Sequence, residues 1–280
     1  MSRTWFITGV SSGFGRELTQ QLLQRGDRVA GTVRNPNAVD DLKVAYGERL
    51  WTVELDVTDR EQIRSVVQAA FNDLTRIDAV INNAGYGLFG AAEEMTDEQV
   101  IHQIRTNLLG SIQVTRAMLP YLRAQGGGRI IQMSTWGGQA TGPGGSLYHA
   151  SKWGIEGFME ATAKDVAPFG IGVTIVEPGG ARTDFRRGGV RLSEPMAAYD
   201  ASPASMARNI PNLPPAVGDP AKMATIIIDS VDQDPAPLRI ALGSDAYNFI
   251  HTGLTERLAS LEAQRDLAFS TDFAPKPAAE

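Results

Sequence analysis

Cysteine is absent from the 280 residues, which excludes disulfides, thiolate zinc sites and a cysteine nucleophile. Only three histidines occur, and no His-rich or paired-carboxylate cluster suggests a catalytic metal. No window approaches the roughly 20 apolar residues of a membrane-spanning helix. The opening "MSRTWFITGV" moves straight into a short apolar run, without the longer apolar stretch and small-residue cleavage site of a secretory signal. A cytoplasmic setting with no membrane partner is therefore expected. A basic excess is also missing: Lys+Arg number 26 against 32 Asp+Glu, a formal charge of -6, whereas nucleic-acid binding calls for a clustered basic face. No internal repeat, heptad array or low-complexity tract is visible.

What is present is an alternation. Seven short apolar runs, "TWFITG" (4–9), "RVAGTV" (28–33), "LWTVELDV" (50–57), "DAVINNAG" (78–85), "GRIIQMST" (128–135), "GVTIVEPG" (172–179) and "LRIALG" (238–243), are separated by stretches such as "RELTQQLLQRGD" and "REQIRSVVQAAFNDL". The runs are apolar at consecutive positions, as in strands buried on both faces of a parallel sheet. The intervening stretches place apolar residues three and four apart, an amphipathic helix. The fold class expected is α/β: one doubly wound parallel sheet of about seven strands, Rossmann-like, with helices on both faces, spanning 1–280 as a single domain. Two regions break the rhythm. Residues 185–220 carry glycine, proline and methionine with no clean period and read as a long functional or mobile connection. A C-terminal extension covers about 247–280, ending in the frayed "TDFAPKPAAE".

"TGVSSGFG" sits between the first strand and the first helix, with Ser11, Ser12 and Phe14 set among Gly9, Gly13 and Gly15. Amides at a helix N-terminus, aided by its dipole, stabilise a pyrophosphate, and glycines let phosphate approach without a Cβ in the way. The spacing differs from G-x-G-x-x-G, and glycines at such a turn also serve plain tight turning. The second strand ends in "VRN" with Arg34 and no acidic residue before Asp40. An acidic side chain here suits a ribose 2′-hydroxyl and an arginine a 2′-phosphate, so NADP(H) is the expected cofactor and NAD(H) the alternative. Asp56 and Val57 end the third strand where an adenine would lie. Asn83, Ala84 and Gly85 end the fourth on the same sheet edge.

Tyr148 and Lys152 are four apart and share one helix face. A free phenol has a pKa of ~10, and a neighbouring ammonium favours its phenolate, which is expected to bring it toward the range of acid–base catalysis. His149 beside it turns about 100 degrees away along the helix, to pack or face solvent.

Taken together, "TGVSSGFG", "NNAG", the Asn of "TNLLG", "YHASK" and "EPGGARTDF" resemble the short-chain dehydrogenase/reductase family over about 4–183. The resemblance implies a nicotinamide cofactor and an Asn, Ser, Tyr, Lys tetrad, matched here by Asn107, Tyr148 and Lys152. The family's serine stands thirteen residues before the tyrosine, which lands on Thr135 and not Ser134. Neighbouring strand residues face opposite ways, so Thr135 is expected to polarise the substrate carbonyl, with Ser134 as the alternative should the loop shift. The resemblance also implies that Lys152 holds the ribose, that Asn107 anchors a water feeding protons through the lysine, and that Pro178, Gly179 and Thr183 contact the nicotinamide carboxamide and phosphates. It further implies a homodimer or homotetramer built on helices starting near Asp97 and Tyr148. The expected activity is NADP(H)-dependent carbonyl reduction or secondary-alcohol oxidation on a medium or bulky apolar ketone or alcohol. Its walls are drawn from Tyr86, 136–146 and the long connection, with Phe185, Met196, Tyr199, Met206 and Ile210 as a candidate apolar lid or a merely packed loop. Two alternatives stay open: an NAD-dependent hydroxysteroid-type dehydrogenase, and a non-catalytic NADP(H)-binding regulator.

Overall fold

The computed structural model describes residues 2–273; the last seven residues of the tail expected to fray lie outside them. Seven parallel strands form one sheet: β1 (Thr4–Thr8), β2 (Arg28–Val33), β3 (Leu50–Glu54), β4 (Ala79–Asn82), β5 (Gly128–Met133), β6 (Ile171–Pro178) and β7 (Arg239–Leu242), in spatial order β3-β2-β1-β4-β5-β6-β7. Successive side chains of a strand point to opposite faces, and the core divides accordingly. Trp5, Ile7, Ile131 and Val176 pack with α1 (Gly13–Gln24), α2 (Asp40–Tyr46) and α7 (Pro220–Asp229) on one face. Phe6, Val80, Ile130 and Ile175 pack with α3 (Arg60–Leu74), α5 (Ser111–Ala124) and α6 (Ser146–Val166) on the other. Strands covered on both faces bury residues at successive positions, which is why their sequences are mostly apolar instead of alternating.

The strand order reverses between β1 and β4. At such a switch point the connections leave in opposite directions, opening a crevice beyond the carboxyl ends of the strands. α4 (Asp97–Ile104) runs into α5 through a π-helical turn, Arg105–Gly110, a local widening that often accompanies function. The connection after β6 has more structure than its irregular sequence suggests. Val190–Leu192 forms a short parallel strand beside Gly87–Phe89, and 3-10 turns follow at Ala197–Tyr199 and Pro203–Asn212. The C-terminal extension begins earlier than expected, with α8 (Ser244–Glu262) starting directly after β7 and α9 (Arg265–Phe269) following it. α8 packs on β7 and on the turn after β5, where Phe249 stacks on Trp136 at 4.5 Å between ring centroids. Among the described residues no helix is long and apolar enough to cross a membrane, and no cluster of His, Asp and Glu could hold a metal ion.

Candidate active site

The glycine turn after β1 is shaped by contacts that admit no side chain. Gly9 has φ 75°, a left-handed value that glycine adopts without strain, and a Cβ on the buried Gly15 would overlap the Gly9 carbonyl oxygen. Ser12 precedes α1 with extended backbone and makes no side-chain cap. The first amides of α1, which have no partner within the helix, therefore face outward with the positive end of the helix dipole. Phe14 turns its ring into the core, so only its backbone belongs to the turn. Ser11, Ser12 and Gly13 line one side of a cavity of about 680 Å³, with Thr183, Arg186 and Arg187 on the other. Uncapped amides, a close-packed glycine turn and this space fit the pyrophosphate of a dinucleotide. The cavity covers that end alone and is not lined by Tyr148.

The neighbouring strand ends serve the turn in part. The amides of Asn83 and Ala84 both donate to Thr8 Oγ1 (2.9 and 3.0 Å), and the Asn83 side chain donates to the carbonyls of Thr8 and Gly9 (2.9 and 3.0 Å). Asn83 is thus a clip that fixes the turn, a role invisible in the sequence. Arg34 is exposed at the end of β2, and its guanidinium is among the influences that hold the Asp56 carboxyl below its usual range; burial opposes this, and Thr58 supplies the larger favourable hydrogen bonds. The next acids along the chain are already paired: Asp40 with Lys43 at 3.0 Å, and Asp41 with Arg16. Val57 lies against Gly110, where a Cβ would come within 3.1 Å of its side chain.

Tyr148 and Lys152 stand one turn apart near the start of α6, with the lysine nitrogen 5.8 Å from the phenol ring centroid. Lys152 is buried, and its Nζ donates to the Met133 carbonyl at 2.9 Å. Burial lowers this ammonium to about 8, and the charge of Glu156 pushes back upward. The phenol departs from expectation: burial raises it above its ordinary value, the Thr135 hydroxyl opposing. Desolvation outweighs the ammonium because that cation is spent on a carbonyl instead of on the phenol oxygen. Phe89 and Phe185 flank the ring at 5.2 and 6.4 Å between centroids.

The two adjacent hydroxyls part company as strand geometry requires. Thr135 is brought to Tyr148, its own hydroxyl donating to the Pro178 carbonyl at 3.1 Å. Ser134 turns to the opposite side and donates to Glu156 Oε1 at 2.6 Å, away from the Tyr148 phenol that Thr135 meets. Asn107 sits in the π-helical turn, clasping the backbone of Tyr86: Nδ2 donates to its carbonyl (2.7 Å) and Oδ1 accepts from its amide (3.0 Å). Gly85 lies beside it, a Cβ there coming within 3.1 Å of Asn107 Oδ1. The Gly179 amide donates to Leu242, and Thr183 Oγ1 accepts from the Phe185 amide at 3.3 Å. His149 is buried with Nδ1 3.1 Å from the Gly137 carbonyl, a packing role.

Of the apolar lid set Phe185 reaches Tyr148; Met206 is 69% exposed and points to solvent, and Tyr199 donates from its hydroxyl to Glu93. Phe89, which sequence reasoning passed over, is the nearer ring. The covering segment is tied down by another residue missed, the buried Glu94, which accepts from the amides of Ala91 (2.8 Å) and Met196 (2.9 Å), from Ser193 Oγ (3.1 Å) and from Arg208 Nη2 (2.9 Å). These donors hold its carboxyl at about 2. A third omission is the pair of buried acids Glu156 and Glu177 with the half-buried Arg239 beside them. Its one sequence signal is an acid inside the otherwise apolar "GVTIVEPG".

Comparison with known proteins agrees with this architecture. A family model described as short chain dehydrogenase matches residues 3–191. The oxidoreductase BOA17 of Botryotinia fuckeliana is 36% identical over 273 residues, covering 97% of this chain and all of that protein. The crystal structure of a short-chain dehydrogenase from Streptomyces avermitilis superposes with a TM-score of 0.91 at 39% identity, over 97% of this chain and 100% of that one. A short chain dehydrogenase from Burkholderia cenocepacia in complex with NADP shares the fold, with a TM-score of 0.74 at 24% identity over 94% and 97% of the two chains. The chain belongs to the short-chain dehydrogenase family and is an NAD(P)-dependent oxidoreductase.

Proposed function

We propose that the protein is a cytoplasmic, single-domain NADP(H)-dependent carbonyl reductase, working in reverse as a secondary-alcohol dehydrogenase on a medium or bulky apolar ketone or alcohol. The observation that carries this reading is the meeting of the Thr135 hydroxyl, the Tyr148 phenol and the Lys152 ammonium at the ends of β5 and β6, beside a crevice suited to a dinucleotide. Bound there, a reduced nicotinamide supplies the hydride for a carbonyl carbon. Gly9, Ser11, Ser12, Gly13, Gly15, Arg34, Asp56, Val57, Ala84, Gly85, Pro178, Gly179 and Thr183 would border the cofactor. Tyr148 gives its proton to the substrate oxygen, and Thr135 turns its hydroxyl from Pro178 to donate to the same oxygen. A phenol kept neutral by burial is in the donor form, which suits reduction. Phe89 and Phe185 supply an apolar wall, and this supports a substrate with an aromatic or aliphatic body.

The test is NADPH oxidation followed by absorbance over a panel of cyclic, aryl and long-chain ketones, with NADH in parallel. Tight NADPH binding with no turnover on any ketone or on the matching alcohols would favour a non-catalytic regulator. The cofactor preference has its own test. A hydrogen bond to a charged group contributes about 1.5–3 kcal/mol, so Arg34→Ala is expected to weaken NADPH binding roughly 10- to 100-fold and to leave NADH nearly unchanged. Equal losses for both cofactors would remove Arg34 from the 2′-phosphate.

A further inference from the structure

Beneath the Tyr148–Lys152 pair, α6 carries a third side chain that the reaction as described does not use. Glu156 lies one turn beyond Lys152 on the same helix face and is 2% exposed. Its carboxylate accepts from Ser134 Oγ at 2.6 Å, Gln139 Nε2 at 2.8 Å and Arg239 Nε at 3.4 Å. Glu177, equally buried at the end of β6, takes Gln139 Nε2 and Arg239 Nε, each at 3.2 Å. The chain after β5 is built around the first carboxylate: a Cβ on Gly138 would overlap Glu156 Oε1.

The charges that meet here come from three elements. α6 brings Lys152, Glu156 and Glu160, β6 brings Glu177, and β7 brings Arg239, whose Nη2 also reaches Glu160 at 2.7 Å. Tyr148 is the remaining titratable group beside the lysine. Lys164, further along α6, pairs with the outer Glu160 at 3.8 Å, and two buried carboxylates that share donors do not both ionise, so one keeps a proton. Glu156, with three donors including the shortest bond, is the better acceptor. Glu177 is the neutral acid, pushed up to about 8 by burial and by Glu156.

We propose that Glu156 is a positioning residue for the reaction: its carboxylate, one helical turn from Lys152 and fixed by Ser134, Gln139 and Arg239, is the buried counter-charge that keeps the lysine an ammonium. Lysine burial favours the neutral amine, and a neutral amine would no longer place a cation 5.8 Å from the phenol ring. As a mechanistic statement this rests on the reading of Tyr148 and Lys152 given above.

The test reads the lysine directly. The chain contains five lysines, so the Lys152 side chain can be followed by NMR in the full-length protein labelled at lysine, its resonance identified by loss in Lys152→Met, with no substrate or cofactor present. Glu156→Gln is expected to lower the Lys152 titration midpoint by about one pH unit, a ~10-fold change in its proton affinity. Glu156→Asp and Glu177→Gln are expected to leave it within a few tenths. An unshifted midpoint in folded Glu156→Gln overturns the proposal. If Glu156→Gln does not fold, Glu177→Gln decides: a fall of about one unit there would assign the charge to Glu177 and overturn the proposal equally. The alkaline limb of ketone reduction should move with the midpoint in Glu156→Gln, and an alkaline limb that stays put while the midpoint falls overturns the mechanistic part. Activity surviving in Tyr148→Phe would instead sink the catalytic reading and leave the NMR result standing.

Discussion

Replacing Tyr148 by phenylalanine is expected to lower ketone turnover by about two to four orders of magnitude, the usual contribution of a positioned proton donor, while the melting temperature and NADPH affinity change little. The substitution deletes one oxygen and keeps the ring that packs between Phe89 and Phe185. A fall in turnover can therefore be charged to chemistry and not to collapse. The check is kcat beside a thermal melt and a fluorescence titration with NADPH. Turnover within a few-fold of the parent, in folded protein that binds cofactor, would mean that another group supplies the proton.

The second large effect separates two adjacent hydroxyls. Thr135→Val keeps the shape of the side chain and is expected to cost roughly 10²–10³ in kcat, as for one donor to a developing oxyanion. Its fold should survive, since the Pro178 carbonyl loses a single bond. Ser134→Ala is expected to do the reverse. Its hydroxyl serves the buried Glu156, so its loss should cost about 1–3 kcal/mol of stability with turnover changed only a few-fold. Denaturant melts and steady-state kinetics on the two variants form a crossed pair. Exchanged results would return the polarising role to Ser134.

Much of the architecture could be read along the chain because burial on both faces leaves a plain mark. Every sheet strand lies within a mostly apolar run, and many of the residues between them carry a helical period. Legibility fades where a contact depends on distant segments meeting. Thr135 could be favoured over Ser134 from strand alternation, but only the packing of α6 against β5 and β6 shows which face carries the phenol. Glu156, Glu177 and Arg239 lie on three separate elements, and no spacing links them. The phenol's environment is hidden in the sequence for a related reason. Four-residue separation says that an ammonium is near, whereas the strength of its pull depends on whether a carbonyl such as that of Met133 has already claimed it. In the connection after β6 the short strand beside Gly87–Phe89 is three residues long, too brief to impose a period.

The carboxylate of Glu94 pegs the flap over the pocket to the body of the enzyme. Held at about 2, it stabilises this arrangement fully above the ordinary carboxylate range and releases it only as acidity approaches its own low value. The flap therefore stays pegged from mildly acidic to alkaline buffer. Between that peg and Phe185, Gly188 and Gly189 give the backbone its widest conformational choice.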